Sequence, residues 1–172
     1  MKTLTMQDIA VFNSSPLINL AKAGQLELIN KLFHFCYIPE AVYNEIIVEG
    51  KDKSGFADVQ SLIKNNTIKI RQIKDTLLAK TLQTELDFGE SEAIVLATEI
   101  KNCVLIIDES EGRKFADIYG LKKTGFIGIL LQAYKLKLLD DIEKPLNKAI
   151  NKGFWIKKSL LKQVLDTIKN VK

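Results

Sequence analysis

The sequence predicts an α/β fold with a mainly parallel central sheet. Two short apolar runs, Ile9 to Phe12 and Val104 to Ile107, suit strands buried on both faces, and apolar residues at helical spacing fill much of the chain around them. Strands alternating with helices favour a parallel sheet whose ligand site lies outside the carboxyl ends of its strands. The length of 172 residues fits a single domain spanning 1–172.

The first run ends at Asn13, and Ser14-Ser15-Pro16 then supplies a helix N-cap and a proline for the first helical position. Leu17, Leu20 and Ala21 share one face of that helix, Gly24 stops it, and Leu26, Ile29, Leu32 and Phe33 mark a second. After Pro39, Val42, Tyr43, Ile46 and Ile47 form an apolar stripe with Glu45 on or beside it, and Gly50 closes the helix. Between Gly55 and Gln83 the pattern is mixed, helical at Phe56, Val59, Leu62 and Ile63 and partly strand-like at Ile68, Ile70 and Ile73. A helix from Gly89 carries Ala93, Leu96, Ala97 and Ile100, and the strand after it ends in Asp108-Glu109. Ser110 caps the next helix and Gly120 ends it. Leu121 to Thr124 fits one more short strand, Phe126 to Leu138 a helix, and two further helical patterns complete the chain.

A hydrophobic fraction of 47% with 27% charged residues excludes disordered, collagen-like and disulfide-scaffold classes. The net charge of +4 matches the excess of five lysines (157, 158, 162, 169, 172) over Asp166 from Gly153 onward, which predicts a mildly basic C-terminal face. Cys36 and Cys103 sit in apolar runs without ligand spacing and are expected as buried thiols of a reducing compartment. Lys2 is followed by Gln7, Asp8, Asn13 and Ser14, which interrupt a leader core, and no apolar run reaches membrane-spanning length, so a cytoplasmic, soluble protein is expected.

Three acidic features stand at strand ends or helix starts: Glu45, Glu90/Glu92 after Gly89, and Asp108/Glu109. Carboxylates that converge at a sheet edge repel one another unless protonated or bridged by a cation. Mg²⁺ takes oxygen ligands, keeps several waters, and commonly joins one or two carboxylates to a phosphate, which suits phosphodiester hydrolysis. For any single acid the plainer reading is a solvated group or one favoured by a helix dipole. The joint pattern carries the hypothesis.

The motifs Val11-Phe-Asn-Ser-Ser-Pro-Leu-Ile18, Ile38-Pro-Glu-Ala-Val-Tyr-Asn-Glu-Ile46, Gly89-Glu-Ser-Glu-Ala-Ile-Val-Leu-Ala97, Leu105-Ile-Ile-Asp-Glu109 and Thr124-Gly-Phe-Ile-Gly-Ile-Leu130 occur in this order. In this combination the chain, from about Ile9 to the C-terminal helix, resembles the PIN-domain superfamily, most closely its DUF3368 group. The resemblance implies a three-layer α/β/α fold and a metal-dependent ribonuclease acting on single-stranded RNA with Mg²⁺ or Mn²⁺. Many active relatives are toxins of toxin–antitoxin pairs, so RNA, a small antitoxin protein and a second copy of the chain are the implied partners. The family's acids fall on Asn13, Glu45, Glu92, and Asp108 or Glu109. These residues are the implied metal ligands, with Glu45, Glu92 and Asp108 catalytic. Asn13 replaces the usual aspartate and offers a neutral oxygen, which weakens metal affinity. Glu92 ranks above Glu90, which points about 200° away around a helix.

Ser15 and Thr124 are candidates to orient an acid or a phosphate, with capping as Ser15's plainer role. Arg113 and Lys114, like Lys122 and Lys123, are candidates for the RNA backbone, although a solvated face is their commoner role. His34, between Phe33 and Phe35, is expected to be packed or at an interface. Gly125 and Gly128 are wrongly spaced for a nucleotide-binding loop. Phe154-Trp155-Ile156 is expected as core or interface and is able to seat a partner. The competing reading is a binding module for RNA or a partner protein, with Asn13 too weak a ligand for turnover. A phosphoryl-accepting receiver would need paired acids where the chain has Asn13-Ser14-Ser15.

Overall fold

Strand β1 (Ile9–Phe12) is the middle of a sheet ordered β3-β2-β1-β4-β5, with β2 (Phe35–Ile38), β3 (Ile68–Ile70), β4 (Cys103–Ile106) and β5 (Lys123–Thr124), and every pairing is parallel. The structure is a computed structural model and describes residues 8–50 and 55–171. Lys2, Gln7 and Lys172 lie outside the described residues. β1 pairs from Ile9 with Phe35 on one side and from Ile9 with Cys103 on the other.

Alternation along the strands builds two cores. Ala10, Phe12, Val104 and Ile106 join one cluster with residues of α1 (Ser14–Ala23), α2 (Leu28–Leu32), α8 (Phe126–Lys135) and α9 (Glu143–Asn151). Val11, Leu105 and Ile107 join the other, with α5 (Thr76–Leu82), α6 (Phe88–Glu99) and α7 (Ser110–Ile118). Both faces of the sheet are covered, which is why its central strands read as continuous apolar runs. The expected three-layer α/β/α arrangement is therefore present. Helix α6 is buried almost all round, from Gly89 to Ala97 apart from the half-buried Glu92.

Local chemistry moves some boundaries. Helix α1 begins at Ser14 with Asn13 as N-cap, so Ser14 and Ser15 are not caps, and Pro16 occupies the third helical position, where its missing N–H leaves no helical bond unmade. Gly24 ends α1 at φ 69°, as the glycine rule expects. Ser110 likewise opens α7 with Glu109 as N-cap. The mixed segment resolves into α4 (Phe56–Lys64), β3 and the unforeseen α5, whose N-cap Asp75 accepts from Leu78 N–H. Strand β2 was also unforeseen, because a helical reading extends as far as Phe33.

Helix α3 (Glu40–Asn44) continues as a π-helical turn, Glu45–Glu49, before Gly50. Helix α10 (Lys158–Val171) buries Val164 and Ile168. Lys157, Lys158 and Lys162 are exposed around its start, as a basic face requires. Both cysteines are buried and free; burial pushes the Cys36 thiol up to about 12 and Cys103 to about 11. His34 corrects the packed expectation: its side chain is exposed and its Nδ1 lies 3.0 Å from Asp8 Oδ1. Among the described residues no helix is long and apolar enough to cross a membrane.

Candidate active site

The chain leaves β1 toward β2 on one side and pairs it with β4 on the other, so the sheet reverses its order beside β1. A parallel sheet opens a crevice at such a point, outside the carboxyl ends of its strands. Asn13 directly follows β1, and its backbone N–H donates to Ile106 O at 2.9 Å, while Asp108 and Glu109 follow β4. The cleft there has a volume of about 1000 Å³ and, among the described residues, is lined by six acids, Glu40, Glu45, Asp87, Glu92, Asp108 and Glu109, against one cation, Lys22. Ser15 and Asn19 line it as well. Four of the five motif residues expected to act together, Glu45, Glu92, Asp108 and Glu109, thus share one cavity. Asn13, 2% exposed, lies behind them and donates from Nδ2 to Glu109 Oε2 at 3.1 Å.

The acids are held by helix starts. Glu45 Oε1 accepts from Gly89 N–H at 3.0 Å in the first turn of α6, and Glu92 Oε2 accepts from Ala41 N–H at 2.9 Å in the first turn of α3. Asp108 Oδ1 accepts from Phe126 N–H at 2.8 Å at the start of α8, and its Oδ2 accepts from Asn19 Nδ2 at 3.1 Å. Each helix start has unpaired N–H groups and a partial positive charge, and a carboxylate satisfies both. Glycines make the approach possible: a Cβ on Gly89 would lie 2.3 Å from Glu45 Oε1, and one on Gly125 would lie 2.2 Å from Asp108 Oδ1.

Two acids hold their protons more tightly than usual. Burial raises the Asp108 carboxyl above its ordinary range; the bonds from Phe126 and Asn19 offset part of this, Glu109 adds to it and Arg113 opposes it. Glu90 is pushed up to about 7, mainly by burial, then by the charges of Asp87, Glu109 and Glu45. Glu90 closes a capping box with Asp87, donating its N–H to Asp87 Oδ1 at 2.7 Å and accepting from Asp87 N–H at 3.3 Å. Glu92, not Glu90, lines the cleft.

The other candidates are dispersed. Arg113 donates from a guanidinium nitrogen to Ile107 O at 2.9 Å. Lys114 pairs with Glu111 at 2.6 Å on an exposed surface, and neither lines the cleft. Thr124 is buried, with its hydroxyl against Gly128 of α8, which explains that glycine as close packing. Sequence reasoning missed Asn19, Lys22, Asp87 and Phe88. Asn19 and Lys22 follow Ser15 at spacings of four and seven, one helix face, and Asp87-x-x-Glu90 is a capping-box signature, so both signals were present.

Among the described residues no three His, Cys, Asp or Glu side chains form a group that grips a metal ion on its own, which corrects the idea of one tight carboxylate cluster. The donor set still fits a hard divalent ion of the kind that takes one or two carboxylates and keeps its waters. Asn13 Oδ1 is buried and has no hydrogen-bond partner, because its amide nitrogen faces Glu109. An oxygen left bare in this way is a ready neutral ligand. Comparison with curated proteins finds no match. Residues 9–170 match the family DUF3368, a PIN domain. The chain therefore belongs to the DUF3368 family of PIN domains.

Proposed function

We propose that the protein is a metal-dependent ribonuclease that hydrolyses single-stranded RNA, serving as the toxin of a pair whose small antitoxin protein restrains it. The observation that carries this reading is the meeting of Glu45, Glu92, Asp108 and Glu109 in one cleft, with the bare Asn13 oxygen behind them. Asn13, Asp108 and Glu109 would hold the ion from the strand ends, with Glu45 and Glu92 facing them from the π turn after α3 and from α6. A bound Mg²⁺ or Mn²⁺ would neutralise phosphate charge and acidify a water for in-line attack.

The chain's own residues supply order. Glu45 and Glu92 are fixed by backbone donors before any substrate arrives, so little reorganisation is needed on binding. Asn19 and Phe126 N–H hold both oxygens of Asp108, and Asn13 turns Glu109. Ser15, on the cleft wall, would hydrogen-bond a phosphate. Arg113 supports the same region indirectly, by opposing the uptake of a proton on Asp108.

The test compares RNA cleavage in Mn²⁺ by wild type, Glu92→Gln and Asp108→Asn, after column steps that remove host nucleases. Either change should lower cleavage by about 100-fold or more, and chelation of the metal should abolish it. Cleavage unaffected by both substitutions would defeat the assignment. The second reading, a module that binds RNA or a partner protein without turnover, is favoured by the neutral Asn13 and by the carboxylates' engagement with backbone donors. Calorimetry separates the two: RNA or partner binding with no Mn²⁺ binding at millimolar concentration would select the module. Growth arrest on expression, relieved by a neighbouring short gene, would support the toxin assignment.

A further inference from the structure

Two large aromatic rings stand in the cleft instead of the core. Phe88, the first residue of α6, is 66% exposed, and Trp155, in the loop before α10, is 75% exposed, yet both line the cavity that holds the carboxylates. Neither is loosely attached. Phe88 lies between the N-cap Asp87 and Gly89, whose N–H Glu45 accepts, and Trp155 follows Phe154, which packs edge-to-face on Phe126 at 4.9 Å. A second cavity of about 450 Å³ adjoins the first and shares Glu40, Phe88 and Glu92 with it. It is also lined by Lys80, Gln83 and Gln72, whose Nε2 donates to Glu40 Oε2 at 3.3 Å. The ring of Phe88 thus borders both cavities next to Glu92.

We propose that Phe88 and Trp155 are the base-stacking positions of a groove that carries single-stranded RNA past the carboxylates, a deepening that rests on the nuclease reading above. Rings displayed in a polar cleft meet the π-face of any base, and that face is free only in a single strand. The rings also answer a difficulty of charge. Six acids repel a polyphosphate wherever a metal ion does not offset them, and stacking adds an attraction that does not depend on charge. In the adjoining cavity Gln83 offers a donor and an acceptor to base edges and Lys80 a cation to a phosphate.

Trp155 is the only tryptophan of the chain, so its fluorescence reports directly on the proposed contact. The experiment titrates the full chain with 12-nucleotide oligoadenylate and oligouridylate, with Ca²⁺ in place of Mg²⁺ to slow turnover, and measures KM for cleavage in Mg²⁺. Saturable quenching is expected. Phe88→Ala and Trp155→Ala, followed by the anisotropy of labelled RNA, should each weaken binding and raise KM by roughly tenfold, while Trp155→Phe recovers most of the loss. Both rings are exposed, so these variants should fold.

A protein that cleaves RNA with its tryptophan unquenched and KM unchanged in both alanine variants would overturn the stacking proposal and leave the nuclease reading intact. Quenching and ring-dependent binding without any metal-dependent cleavage would uphold the groove and sink the nuclease reading. Equal binding of a duplex of the same length, or tighter quenching by a lysine-rich peptide than by RNA, would also overturn the proposal, the latter in favour of a protein segment as occupant.

Discussion

Glu45 and Glu92 each close the helix that carries the other: Glu45, from the π turn after α3, accepts from Gly89 of α6, and Glu92, from α6, accepts from Ala41 of α3. The exchange fixes two helices and two candidate catalytic groups with the same pair of bonds. Removing the acceptor at position 92 should therefore register in stability as well as in chemistry. Glu92→Ala should lose about 1 to 2 kcal/mol, and Glu92→Gln, which keeps an acceptor oxygen, less than half of that. Urea unfolding of both variants measures the difference.

Gly89→Ala should run against the usual sign. In an ordinary helix the change stabilises by roughly 0.5 to 1 kcal/mol. Here the new Cβ would lie 2.3 Å from Glu45 Oε1, so the carboxylate must leave the helix start. A loss of about 1 to 3 kcal/mol is expected, together with reduced cleavage, and thermal melting beside an activity assay reads both. A melting temperature above wild type would show that Glu45 yields without cost.

Glu90 should give the protein a falling stability profile. Its folded value of about 7 lies above its ordinary 4.5, so the folded chain binds that proton more tightly than the unfolded chain does. Its contribution is fully present below about pH 4.5 and is lost as pH rises through about 7. Glu90→Gln keeps the capping-box acceptor for Asp87 and removes the charge. In EDTA, its urea midpoint should exceed that of wild type at pH 8 by the equivalent of roughly 1 to 3 kcal/mol, and the gap should close toward pH 4.5. Asp108 shifts in the same direction, so part of the slope will survive.

Asn13→Asp should exchange one property for another. The amide's bond to Glu109 becomes a meeting of two carboxylates, which should lower metal-free stability by about 1 to 3 kcal/mol. The same charge should tighten the hold on a divalent ion. Melting with and without Mn²⁺ tests this: the variant should melt lower in EDTA and gain more from Mn²⁺ than wild type does. Equal gains would mean that residue 13 is no ligand.

The fold was legible where the chain states its period plainly. The buried runs at Ile9 and Val104, and the glycine stops at Gly24 and Gly120, placed the central strands and helices α1 and α7. Strand β2 was obscured because Leu32 and Phe33 continue a helical spacing into it. α5 was obscured because Leu77 is 75% exposed and only Ala79 and Leu82 of that helix are buried, too few to set a period. For the site, the motif order gave four of the six acids that line the cleft, and arithmetic around a helix ranked Glu92 over Glu90. What sequence could not give was who holds each carboxylate. Gly89 and Ala41 are backbone donors, and a backbone N–H is the same at every position but proline, so no residue letter marks it.

The position of β1 has a consequence for when the protein becomes competent. Its neighbours on the two sides are β2 and β4, and the second, with the acids at 108 and 109, lies more than ninety residues later in the chain. During synthesis the first half can pair β1 with β2, but no cleft exists until Leu105 and Ile106 have left the ribosome and docked along the other edge. Glu45 therefore meets Asp108 and Glu109 only late in translation, and the cleft they line is among the last features of the fold to be completed.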